Sequence, residues 1–344
     1  MTAGDAPAPA PAAKRRPSFQ LIQAGTVLLL LVVLCAVSAA RTETFLTWRN
    51  LVTNLLTNAS YVGIIACGMT FVMVAGGFDL SVGSTTTVCS VMTVLVLQGL
   101  ADQPPWLAIA AAVVATAAVG SALGAFNGAS VAYVGVNPFV TTLSTMLVFR
   151  GLALILTEGG QTLSVPLALK ETLGQVYWGK VPLFGAAHPV TVPILVFLGV
   201  FAVSVFVLRL TRFGHYVYAV GGNENASWLA GINTRLVKAT TYGLCGLGCA
   251  VAAVIYTGMS NTAQAASYQG LELVVIASVI VGGTPLGGGA GGLFYTLIGL
   301  LLLSVIENLL PQFGVEEEYR NIVRGLIILV VVAMDTLVRK RGRR

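Results

Sequence analysis

The chain has 344 residues, of which only 9% are Asp, Glu, Lys or Arg and 56% are apolar. A soluble domain carries about 25% charged residues, so composition excludes a water-soluble enzyme or binding module of this size. The net charge of +6 is no nucleic-acid footprint either, because the basic residues flank apolar runs instead of forming one patch.

Residues 1–20 are rich in Ala and Pro, carry Lys14, Arg15 and Arg16, and read as a disordered cytoplasmic tail. Leu21 to Ala40 follows without a charged residue. About twenty helical residues cross some 30 Å of hydrocarbon, and this run is too long for a secretory signal and has no cleavage site after it. We therefore expect a retained first span. Further spans are predicted at 51–75, 81–99, 106–134, 138–157, 188–208, 240–259, 271–283, 290–310 and 321–338. The fold class is an all-α polytopic membrane protein of about ten transmembrane helices, with a membrane domain over 21–338 and a basic cytoplasmic tail at 339–344.

Lys and Arg in short flanks orient such a chain. With the N-terminus inside and sides alternating, the inner segments hold Lys14, Arg15, Arg16, Arg209, Arg212, Arg235, Lys238, Arg339, Lys340, Arg341, Arg343 and Arg344, which is most of the 19 basic residues. The acidic run Glu316-Glu317-Glu318 falls outside, as do Glu158 and Glu171. An even number of spans with both termini cytoplasmic is self-consistent. Trp48 and Trp106 then stand at outer span ends, where indoles favour the interface. Two long connections remain: an external loop at 158–187 and a cytoplasmic one at 209–238.

Gly76-Gly77-Phe78-Asp79-Leu80-Ser81-Val82-Gly83 fits GGxxLxxG, and the pattern returns from Gly282 and Gly283 through Leu286 to Gly289. Downstream, Asn127 with Val134-Gly135-Val136 parallels Asn308 with Phe313-Gly314-Val315, at a shorter spacing. This suggests a duplicated unit, a common plan in transporters, in which Gly-interrupted helices point to the substrate path. Broken helices expose backbone N–H and C=O groups that must face protein or water. Gly76, Gly77, Asp79, Ser81, Asn127, Asn137, Gly282 and Gly283 are thus candidate pathway residues for a neutral polar solute. Close helix packing by the small residues is the competing explanation, and for Asp79 a helix-capping role competes with a pathway role.

No GxxxxGK[ST] phosphate loop, HExxH, CxxC or GxSxG occurs. We therefore expect a non-catalytic subunit that binds no cofactor itself. Cys35, Cys67, Cys89, Cys245 and Cys249 lie in apolar runs without metal-ligand spacing, and His188 and His215 stand alone.

The run Gly76 to Ser84, Met69-Thr70-Phe71, Gly124 to Gly128, Asn137 to Leu143 and Val281 to Gly288 together resemble the ribose-type permeases of ABC importers, over residues 50 to 338. Thr211-Arg212-Phe213-Gly214, Gly221 to Ala226 and Ala230-Gly231-Ile232-Asn233 resemble the loop by which such permeases dock their ATPase. The resemblance implies a coupling site at Gly222, Asn223, Glu224, Ala226, Ala230, Gly231 and Ile232, with Asn225 and Trp228 departing from the family pattern. Independently, Asn223 or Glu224 suits the start of a short helix, and Trp228 and Leu229 give it an apolar face. The resemblance further implies a permease homodimer or heterodimer in the bilayer, a partner ABC ATPase using ATP and Mg, and an extracytoplasmic sugar-binding protein. The alternative is a stand-alone secondary carrier or facilitator for a small polar solute, with Asp79 as its protonatable group.

Overall fold

The computed structural model describes residues 19–177, 179–182 and 189–316, and then 319, 320, 322, 323, 325, 326 and 329. The described elements are helical apart from four two-residue strands. Helices α1 (Phe19–Arg41), α2 (Thr57–Val74), α3 (Val82–Gly99), α4 (Pro105–Ala129) and α5 (Pro138–Leu156) come first. A π-helical segment, Arg49–Leu56, leads into α2, and another, Ser130–Val134, extends α4. Then follow α6 (Leu167–Tyr177), α7 (Val192–Leu210), α8 (Arg212–Gly222), α9 (Glu224–Leu229), α10 (Thr234–Ser260), α11 (Leu271–Gly282) and α12 (Leu293–Gln312).

Local signals explain many of the boundaries. Proline occupies the first turn of α4, α5 and α7, where its missing N–H costs nothing. Asn137 Oδ1 accepts the Phe139 N–H at the start of α5, and Asn233 Oδ1 accepts the Leu236 N–H at the start of α10.

Eight of the described helical stretches are long and apolar enough to cross a membrane. They match eight of the ten expected spans, and the other two stand apart. The span predicted at 271–283 is the 12-residue α11, about 18 Å long and hence little more than half of the hydrocarbon thickness. It is fed by a chain segment that runs back along α3: Thr87 Oγ1 donates to the Ser267 carbonyl at 2.9 Å, and Gly83 abuts the Tyr268 carbonyl and the Glu272 carboxylate. The span predicted at 321–338 lies almost wholly outside the described residues, as do the basic tail at 339–344, most of the N-terminal tail and His188.

The core is α2, α3 and α10. Nearly every α2 side chain is buried. Since lipid is as apolar as leucine, helices here associate by close backbone approach and hydroxyl bonds. Gly120, Gly124 and Gly128 recur every four residues on α4, and a methyl at any of them would strike the α10 backbone near Gly246, Tyr242 or Ala239. Thr70 bonds Thr296 at 2.9 Å, Ser90 bonds Thr257 at 2.7 Å, and Thr93 bonds Thr116 at 2.9 Å. All five cysteines are free thiols, four of them buried; Cys245 packs on Gly68 of α2.

Connections sort to two ends of the bundle, as the alternating reading predicts. At one end Gly76, the turn at 134–138, α8, α9 and Gly288 come together. At the other, Leu163–Ser164 pairs antiparallel with Thr262–Ala263, Trp48 Nε1 donates to the Pro189 carbonyl, and Gln98 reaches the Ser164 carbonyl. Part of the long 158–187 connection is α6, whose buried Leu169 and Leu173 seat it on the bundle.

Both GGxxLxxG copies lie at breaks between helices, α2–break–α3 and α11–break–α12, which is as far as the expected parallel extends. The downstream halves differ: Asn127 lies on α4, after the second helix of the first unit, whereas Asn308 lies within α12 itself.

Candidate functional site

The residues assigned to the coupling loop form one compact element. Asn223 caps α9 by accepting the Ala226 N–H at 3.0 Å, directly after Gly222 ends α8. Glu224 opens the helix, where a carboxylate suits the N-terminal dipole, and pairs with Lys238 Nζ at the foot of α10. Ala230 closes α9 and Gly231 follows in the left-handed region at φ +84°. The Gly231 N–H bonds the Trp228 carbonyl at 2.9 Å and the Ile232 N–H bonds the Ser227 carbonyl at 3.0 Å, a complete Schellman closure. Both ends are thus locked by local bonds, and Trp228 and Leu229 stand out 68% and 78% exposed.

Beside α9 lies a cavity of about 990 Å³, lined by Gly76, Tyr133, Asn137, Glu224, Asn225, Trp228, Gly231, Ile232 and Lys238. Two of the predicted pathway residues, Gly76 and Asn137, therefore share a wall with the coupling residues. Asn137 is an exposed helix cap. Behind this cavity the end of α8 is wedged between the two glycine breaks. A methyl on Gly221 would collide with the Val74 carbonyl, and one on Gly288 would stand 2.6 Å from the Gly76 Cα.

The other predicted residues separate from this group. Asp79 is 2% exposed. Its Oδ1 accepts both the Ser81 N–H at 2.8 Å and the Ser81 hydroxyl at 2.6 Å, just before α3. Asn127 donates to Ser81 Oγ at 2.8 Å and tethers α4 to the same turn. This is an Asx turn that leads the chain into α3. Gly77 sits under the Tyr242 hydroxyl, which donates to the Phe78 carbonyl at 3.1 Å. Gly282 packs against the Tyr295 backbone of α12, and Gly283 ends α11 at φ +113°. His215 bonds the Thr211 carbonyl through Nδ1.

A second cavity, of about 550 Å³, opens at the opposite end between α2, α10, α11 and α12. Asn50, Asn54, Asn58, Tyr61, Tyr256, Tyr268, Gln269, Glu307, Asn308, Gln312 and Arg320 line it. None of these was singled out as a site residue from the sequence. The legible signal was the four-residue spacing of Asn50, Asn54 and Asn58, which puts three amides on one face of an otherwise apolar span.

Residues 51–332 match the family model described as branched-chain amino acid transport system / permease component. The chain is 37% identical to the ribose import permease protein RbsC of Escherichia coli (strain K12) over 310 residues, covering 90% of this chain and 92% of that one. It is 36% identical to RbsC of Bacillus subtilis (strain 168), covering 82% and 83%. To the L-arabinose transport system permease protein AraH of Escherichia coli (strain K12) it is 32% identical, covering 92% and 90%. No solved structure matches the chain. With its eight apolar spans, this multi-pass membrane protein belongs to the branched-chain amino acid transport system / permease component family.

Proposed function

We propose that this chain is the membrane-spanning permease subunit of an ABC importer that moves a monosaccharide or related polyol across the cytoplasmic membrane. Relatives named as ribose, D-allose and L-arabinose permeases support the solute class. The observation that carries the ATP-driven reading is the seating of α8 and α9. A short helix, locked at both ends, presents Trp228 and Leu229 outward while its root at Gly221 touches both glycine breaks. A push on α9 from a docked ATPase thus bears directly on the turns that end α2 and α11.

In this reading ATP and Mg belong to the partner ATPase, and an extracytoplasmic binding protein delivers the sugar to the face formed by α6 and the strand pairs. Two permease copies enclose one pathway, both termini are cytoplasmic, and a tenth span lies at 321–338. Gly222, Asn223, Glu224, Ala226, Ala230, Gly231 and Ile232 form the coupling surface. The bonds of Asp79 to Ser81 favour a structural carboxylate over the titrating group of a stand-alone carrier.

The test is reconstitution of the chain with and without its ATPase, with ATP-dependent sugar uptake as readout. Uptake should require the ATPase and should be lost on replacing Trp228 and Leu229 with Glu. Uptake that needs no ATPase, or survives the double replacement, overturns the reading.

A further inference from the structure

We infer that the cavity between α2, α10, α11 and α12 is a binding site for a neutral polyhydroxylated solute, built within a single copy of the chain. The inference rests on the sugar-permease reading and adds to it a specific chamber.

Asn50, Asn54 and Asn58 lie along the span Arg49–Val74, and this amide stripe ends one turn before Tyr61. From Asn50 to Asn58 the helix rises roughly 12 Å at most, about two fifths of the hydrocarbon thickness. Amides that face lipid have nothing to bond; Asn58 Nδ2 donates to the Asn54 carbonyl at 2.8 Å, and the amide groups of Asn54 and Asn58 that remain need water or a ligand with hydroxyl groups. Asn54 and Asn58 are exposed, and they face the cavity.

At the rim, Asn50 and Asn308 exchange amide hydrogen bonds at 3.0 and 3.1 Å. Gln312 Nε2 donates to Asn308 Oδ1 at 2.9 Å, and Asn50 Nδ2 is held by the Phe45 carbonyl at 3.1 Å. These amides are fixed before any ligand arrives, which lowers the ordering cost of binding. Deeper in, three tyrosines form a chain: Tyr61 meets Tyr256 edge-on at 5.2 Å, and Tyr256 meets Tyr268 at 5.1 Å. Aromatic faces pack the C–H faces of a sugar ring, while amides bond its hydroxyl groups. Tyr268 is also held at φ +62°, a costly conformation for a bulky residue. Such strain gathers where a site is pre-organised.

The lining holds one carboxylate, Glu307, and one guanidinium, Arg320, with amides and phenols making up most of its polar groups. Their charges cancel, which suits a neutral solute better than an anion or cation. The volume of about 550 Å³ falls within the usual range for small-molecule sites.

The test uses the full-length chain in nanodiscs, so that both faces meet solvent. Cys35→Ser removes the one partly accessible thiol, and Asn58→Cys then reports on the cavity through its rate of labelling by a charged maleimide. D-ribose, at about four times its dissociation constant, should slow labelling about fivefold. Tyr256→Leu in the same background should abolish that protection. A Trp106→Cys control, 71% exposed and outside the cavity, should label equally with and without sugar. Absence of labelling at Asn58→Cys, or labelling that D-ribose, D-allose and L-arabinose all leave unchanged, overturns the site. Protection by L-leucine alone overturns its assignment to polyols. None of these readouts needs ATP, so the site can fail while ATP-driven uptake by the complex succeeds, and the reverse.

Discussion

The backbone amide of Gly289 donates to the carbonyl of Val74 at 2.8 Å. The turn after α11 is thereby stitched to the end of α2, and Gly221 of α8 occupies the remaining space between them. Three segments far apart in sequence meet there with no side chain between them. Replacing Gly221 with Ala should therefore disrupt the junction from which α9 projects. We expect the ATPase still to bind, through Trp228 and Leu229, while uptake falls severalfold. Pull-down and transport measured on one preparation check this; equal loss of both would place the defect in folding.

The α4–α10 contact predicts a stability contrast. A valine at Gly120 meets the Gly246 carbonyl and Ala250, whereas a methyl at Gly151 meets nothing within 4 Å. Overpacking a tight contact costs about 1–3 kcal/mol. Gly120→Val should lower the thermal midpoint in detergent clearly, and Gly151→Ala should leave it in place.

Asp79 separates two mechanisms. A carboxylate that closes a turn is replaceable by asparagine, whose Oδ1 also accepts from the Ser81 N–H, so Asp79→Asn should keep both expression and uptake. Asp79→Leu leaves the Ser81 N–H and hydroxyl unanswered in a buried site, at about 1–3 kcal/mol, and should lower the midpoint. Loss of uptake in Asp79→Asn with an unchanged midpoint would instead favour a titrating role.

At Gly231 the backbone is left-handed and the surrounding space is empty, so conformation alone decides the outcome. A side chain there costs about 1–2 kcal/mol, less for asparagine. Gly231→Val should weaken ATPase docking more than Gly231→Asn, with the thermal midpoint of the membrane bundle unaffected by either.

The reciprocal amides of Asn50 and Asn308 predict coupling. Each single leucine replacement already breaks both amide bonds between the pair, so the double replacement loses them only once. A double-mutant cycle on thermal stability should return an interaction of about 1 kcal/mol. Additive effects would mean that the pair is not formed in the membrane.

The sequence by itself determined whatever depends on short-range physics. Charge scarcity and twenty-residue apolar runs require a membrane protein, because no other solvent tolerates that surface. Asn223 and Gly231 specify the ends of α9 through bonds no more than five residues long, so this short helix was legible before its structure. The helix–break–helix unit was legible too, since glycine pairs interrupt both copies. Tertiary structure alone decided which glycines meet: the motif pairs Gly76 with Gly282, but packing brings Gly76 to Gly288 and presses Gly282 against Tyr295. It also decided that α11 is a short helix, because hydropathy measures how apolar a segment is and not where the chain enters the bilayer. The tyrosine-floored cavity was out of reach for the same reason. Its lining comes from segments more than 180 residues apart, and the apolar spans between them carry no local trace of which faces will meet.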